Sequence, residues 1–128
     1  MSNRVGEMLK GRRVLIVEDE HLVALALADD LEDAGAMVIG PVATVDGALD
    51  LLARETLEAA VLDIKLQSEM VFPVADALTG RGVPFIFTTG FDAEVVPAQY
   101  AYVPKCEKPS STAMILEMLA KLIGSDPR

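Results

Sequence analysis

Residues 59–66 read AAVLDIKL, four apolar residues, then an aspartate, then one more apolar residue before a polar stretch begins. Ala59–Leu62 is short, wholly apolar and bounded by Glu58 and Asp63, the pattern of a strand buried on both faces of a sheet. A carboxylate at the end of such a strand is costly to bury unless something pairs with it or uses it. In an open parallel sheet, ligand-handling groups gather at the carboxyl ends of the strands, so Asp63 stands where a site would be. Taken alone, an aspartate there serves equally as a turn former or helix cap.

Upstream, Arg13–Val17 (RVLIV) reads as another buried strand, ending in Glu18, Asp19 and Glu20. His21–Ala34 has helical spacing, with Val23, Ala26, Leu27, Leu31 and Ala34 on the inward stripe and Gly35 as the stop. Met37–Val42 follows as a strand, and Thr44 caps a helix to about Arg54 whose inward face is Val45, Ala48, Leu49 and Leu52. Downstream of KLQSEM, a helix starts near Phe72 and Pro73 and stops at Gly80 or Gly82. Val83–Thr88 is a fourth strand, leading to Thr89 and Gly90. Residues 91–101 are broken by Pro97 and read as a loop or a single helical turn. Tyr102–Cys106 is a fifth strand, and Ser110 or Ser111 caps a last helix through Ile123, with Ile115, Met118, Leu119 and Leu122 facing in. Strands alternating with helices through short loops predict an α/β, doubly wound, five-stranded parallel sheet whose fourth helix is short or irregular. Residues 1–12 show no periodicity and read as a flexible leader, 13–123 as the domain, and 124–128 as a tail.

At 128 residues the chain has room for one domain, and with 52% hydrophobic residues it can bury a substantial core. No apolar run approaches a membrane span, and no secretory signal precedes the first strand, so the expected location is cytoplasmic. The formal net charge of −9 argues against nucleic acid as a partner, because phosphate contacts need clustered cations. A partner protein or a divalent cation fits better. Cys106 is the only cysteine, which excludes an internal disulfide.

Parallel strands share one direction, so the residues after them meet on one edge: Glu18 and Asp19, Asp63, Thr89, and Lys108. Carboxylates held close raise one another's pKa unless a cation neutralises them, and a hard ion such as Mg²⁺ suits a site of carboxylates and water. The set also fits phosphoryl transfer. Asp63 would be the nucleophile, Lys108 would pair with one phosphoryl oxygen, and Thr89 would donate a hydrogen bond to another.

VLIVEDE (14–20), AAVLDIKL (59–66), FTTG (87–90) and EKP (107–109) stand in the order of the receiver domains of two-component response regulators, which this sequence resembles from Arg13 to Ile123. The resemblance implies a flavodoxin-like sheet of strand order 2-1-3-4-5 and a stand-alone receiver. Asp63 would be the phosphoacceptor, Asp19 the direct metal ligand and Glu18 a ligand through water, with the backbone carbonyl of Lys65 as a further ligand. Thr89 would be the signature hydroxyl, a better match than Thr88 because the small Gly90 follows it. Lys108 would be the family lysine, its peptide to Pro109 cis. The implied partner is a histidine kinase or phosphotransfer protein. The receiver would not be a dedicated enzyme, although it would catalyse its own phosphotransfer and dephosphorylation. FTTGF (87–91), with PVADAL (73–78) before it, also looks like the alphaproteobacterial FATGUY subgroup, which implies a kinase of the histidine-tryptophan-glutamate type.

The sequence departs from that family at Lys105, where a Phe or Tyr usually stands three residues before the lysine, and at Ser110 after Pro109. Leu25 falls on the outer side of the first long helix near His21 and Ala28, with Leu22 on the flank, and these leucines are candidates for docking a kinase helix. Two competing functions are a receiver-like adaptor that signals without phosphorylation and a phosphatase with an aspartate nucleophile. The phosphatase would need a second acid two residues after Asp63, where this chain has Lys65.

Overall fold

The computed structural model describes residues 3–90, 95–108 and 111–124. Helix α1 (Asn3–Leu9) leads into strand β1 (Arg13–Val17), then α2 (His21–Asp33), β2 (Met37–Val42), α3 (Val45–Arg54) and β3 (Ala59–Asp63). A two-stranded hairpin, β4 (Lys65–Leu66) and β5 (Glu69–Met70), precedes α4 (Phe72–Gly80), β6 (Phe85–Thr89), β7 (Lys105–Glu107) and α5 (Thr112–Gly124). The main sheet is parallel throughout, in the order β2-β1-β3-β6-β7. With the hairpin set aside this is order 2-1-3-4-5, the doubly wound arrangement expected from the sequence.

Alternation along the strands sends side chains to two separate cores. Val14, Ile16, Ala59, Val61 and Ile86 pack under α1, α2 and α5. Leu15, Val17, Ala60, Leu62, Phe85 and Phe87 pack under α3 and α4. Every residue of β3 is buried, which is why its sequence reads as a continuous apolar run rather than an alternating one. Thr44 caps α3 as expected, its hydroxyl accepting the Gly47 N–H at 3.0 Å. Ser111 does the same for α5, accepting from the Met114 N–H at 3.2 Å. Ser110, Pro109 and the expected cis peptide lie outside the described residues.

Four expectations need correction. The flexible leader at 1–12 contains α1, which buries Val5 and Leu9 against the α2/α5 core. Val5, Met8 and Leu9 do have helical spacing, but two turns are too few to show a period and gain their stability from docking on α5. In α2 the buried residues are Ala24, Leu27, Ala28 and Leu31, whereas Val23 is exposed and Ala28 is not on the outer side. The run LVALALA has no polar residue to fix the phase of the stripe, so the sequence leaves it one position out. The fourth strand starts at Phe85 rather than Val83, and the fifth is Lys105–Glu107 rather than Tyr102–Cys106, with Tyr102 exposed. In α5 the inward face is Ile115, Leu116, Leu119, Ala120 and Ile123, while Met118 and Leu122 are only partly buried.

Between β6 and β7 the described residues include a 3-10 turn, Ala98–Tyr100. Residues 91–94 of that stretch lie outside the described residues. The Tyr100 ring is buried, stacked on Phe72 at a centroid distance of 6.3 Å and edge-on to Phe85 and Phe87 at 5.9 and 6.1 Å. Its hydroxyl donates to Asp76 on α4. The Lys105 ammonium closes the same loop, donating to the carbonyls of Val103 at 2.8 Å and of Tyr100 and Ala101 at 3.4 Å.

Candidate functional site

The C-terminal ends of β1, β3, β6 and β7 converge because the four strands are parallel neighbours in register. Glu18 follows β1 directly, and its N–H donates to the Val42 carbonyl at 2.9 Å, which ties it to the end of β2. Asp63 is the last residue of β3, paired across the sheet with Thr88. Lys108 follows β7, its N–H donating to the Thr89 carbonyl at 2.7 Å.

Glu18, Asp19 and Asp63 each offer a carboxylate oxygen, and these oxygens lie within 4.8 Å of one another. Glu18 and Asp63 are buried, and Asp19 is half-buried. The Lys108 ammonium reaches Glu18 at 3.0 Å, Asp63 at 3.1 Å and Glu20 at 3.3 Å. Three acids therefore meet one ammonium, and Asp19 adds a fourth carboxylate to the cluster. Burial and then the charge of Glu18 push Asp63 up to about 8, although Lys108 pulls the other way. Burial also works against the Lys108 ammonium, but hydrogen bonding and charge from Glu18 and Asp63 outweigh it and hold its pKa above the ordinary lysine range. The cluster thus has more negative charge than its one lysine neutralises, and the donors are all hard oxygens. That chemistry fits a divalent cation of the Mg²⁺ type.

Thr89 ends β6 and is wholly enclosed, whereas Thr88 lines a cavity of about 480 Å³ together with Glu18, Glu20, Gly90 and Lys108. The sheet pleat puts Thr88 on the Ile86 face and Thr89 on the Phe87 face. A Cβ at Gly90 would meet no other atom within 4 Å, so packing within the chain does not require a glycine there. Lys65 opens the hairpin with its side chain exposed, two residues beyond Asp63. The hairpin is braced against α3, since Glu69 accepts the Val45 N–H at 3.0 Å. On α2, Leu22 and Leu25 are 80% and 42% exposed, as expected for an outer face.

Two participants escaped the sequence reading. Glu20 is joined to Lys108, and its signal was the third acid in the run after β1. Glu69, which positions the hairpin, left no local signal because its partner lies 24 residues away.

No family model and no curated protein sequence matches the chain. Among solved structures, the solution structure of SdrG from Sphingomonas melonis is 36% identical, with 96% of this chain and 99% of that one covered and a TM-score of 0.77. The BeF3-activated conformation of SdrG from Pseudomonas melonis is 38% identical, covering 87% of this chain and 95% of that one, with a TM-score of 0.72. A crystal structure of a response regulator receiver protein from Sinorhizobium medicae shares the fold at 23% identity, with 91% and 98% covered and a TM-score of 0.77.

Proposed function

The chain belongs to the response-regulator receiver family, and from that premise we propose that it accepts a phosphoryl group on Asp63 from a histidine kinase or phosphotransfer protein and signals through altered protein contacts. The observation that carries the reading is the Glu18, Asp19 and Asp63 cluster with the Lys108 ammonium in contact with Asp63. In the transfer, an Asp63 oxygen attacks phosphorus, the bond to the donor histidine nitrogen breaks, and the electron pair leaves on the imidazole. Lys108 moves from the carboxylate to a phosphoryl oxygen, and the Thr89 hydroxyl donates to another. Gly90 leaves open space for the group. Mg²⁺, held by Glu18, Asp19, Asp63 and the Lys65 carbonyl, would offset the charge on the phosphoryl oxygens. In this reading the protein is not a dedicated enzyme and acts in the cytoplasm. Among the described residues, no helix is long and apolar enough to cross a membrane.

The FTTGF variant of the FATGUY motif supports a kinase of the histidine-tryptophan-glutamate type. Incubation with a panel of radiolabelled kinases tests the function, with Asp63→Ala as control. Label retained on the alanine variant rejects it.

Thr89→Ala is expected to slow phosphorylation about tenfold or more, the loss that follows removal of one donor to a developing charge, while Thr88→Ala changes it little. The reverse order, read by single-turnover labelling, would transfer the role to Thr88. Leu25→Glu is expected to slow transfer from the kinase with an unchanged circular dichroism spectrum, because Leu25 is exposed on α2 and lines a cavity with Glu18 and Asp19. Unaltered transfer rates would remove that face from the docking surface.

A further inference from the structure

Glu20 occupies the N-cap position of α2, yet its side chain makes no capping hydrogen bond. It reaches across to Lys108 instead, at 3.3 Å, with its side chain 63% exposed. Its backbone N–H donates to Glu18 Oε2 at 3.0 Å, so the same residue orients a buried carboxylate through its main chain and holds the ammonium through its side chain. It also lines the mouth of the cavity that Lys108, Thr88 and Gly90 share. Glu20 is not one of the three acids whose oxygens converge. A cation bound among those three would leave the Glu20 charge at the entrance.

We propose that Glu20 is a positioning and specificity residue that competes with an arriving phosphoryl group for Lys108 and so discriminates against free, small, anionic phosphodonors. The proposal rests on Asp63 being the phosphoacceptor. A small donor such as acetyl phosphate arrives as an anion with no cation of its own. It must pass the exposed carboxylate and draw Lys108 away from it before the Asp63 oxygen attacks phosphorus, the bond to the acetyl oxygen breaks and acetate departs with the electron pair. A phosphorylated protein can present a lysine or arginine to Glu20 as it docks, so the same carboxylate that repels the small donor attracts the large one.

The test is labelling of Asp63 by acetyl phosphate with Mg²⁺, read by intact mass for the wild type, Glu20→Gln and Glu20→Asp at low and high ionic strength. Glu20→Gln is expected to label about three- to tenfold faster at low salt, as removal of one unit charge at partly screened distance implies. The gain should appear in the half-saturating donor concentration rather than the maximal rate, and should shrink in high salt. Glu20→Asp, which keeps the charge, should stay within about twofold of the wild type. A wild type that labels on Asp63 with a Glu20→Gln variant no faster overturns the proposal alone. If neither the wild type nor Glu20→Gln labels with acetyl phosphate, the proposal also falls, whereas the phosphoacceptor reading falls only if the kinase panel leaves Asp63 unlabelled as well.

Discussion

Asp63→Asn is expected to stabilise the metal-free protein at pH 8 by about 2–4 kcal/mol, even as it abolishes labelling. In the folded state Asp63 is pushed up to about 8, first by burial and then by Glu18, against an ordinary value of 3.8. The folded chain therefore binds a proton that the unfolded chain releases. Because the folded state holds more protons across that interval, stability falls as pH rises from about 4 to about 8 and levels off above it. Asparagine carries no such charge, so the variant lacks this component of the slope. Urea unfolding in EDTA from pH 5 to 9 isolates it as the difference between the two proteins. Curves that remain parallel across the range would mean that the carboxylate is not held in the strained state that the geometry describes. Adding Mg²⁺ should stabilise the wild type more as pH rises and the variant only weakly, because cation binding requires the ionised carboxylate.

The second large effect is expected at Tyr100, whose change to alanine should cost about 3–4 kcal/mol of unfolding free energy. The ring fills the space between Phe72 on α4 and Phe85 and Phe87 on β6, so its removal leaves a cavity lined by three aromatics. Tyr100→Phe keeps the ring and loses the hydroxyl with its bond to Asp76, at about 1 kcal/mol. Lys105→Ala should fall in the same lower range, because backbone carbonyls near the surface can turn to water. Denaturant midpoints order the three. A Tyr100→Ala variant within 1 kcal/mol of the wild type would show that the ring does not hold the loop down.

These two residues also show why the site was legible in the sequence while its surroundings were not. Glu18, Asp19, Asp63 and Lys108 each follow an apolar run whose direction the alternation of strands and helices determines, so their convergence is a consequence of topology alone. Tyr100 and Lys105 are different. In the sequence, Lys105 is the absence of an aromatic at its position. In three dimensions the lysine holds the carbonyls of the loop that carries the buried Tyr100. No periodicity encodes that contact, because Tyr100 lies in a short 3-10 turn and Lys105 opens a strand of only three residues. The α2 stripe was one position out because an all-apolar run is compatible with more than one rotation about the helix axis. The hairpin Lys65–Met70 has only two residues per strand, and its brace is its own Glu69 carboxylate accepting the Val45 N–H at the distant start of α3.

The docking of α1 on α5 bears on how the chain folds. The contact joins segments about a hundred residues apart, so its loop-closure entropy is among the largest in the molecule, and none of it is recovered until α5 has formed on the sheet. The sheet and α2 can assemble around local strand–helix units first, which makes α1 a late arrival. Interactions formed after the rate-limiting barrier govern how fast a protein unfolds rather than how fast it folds. Val5 and Leu9, on a helix that contributes nothing to the acidic cluster, thereby act as a latch on the lifetime of the native state.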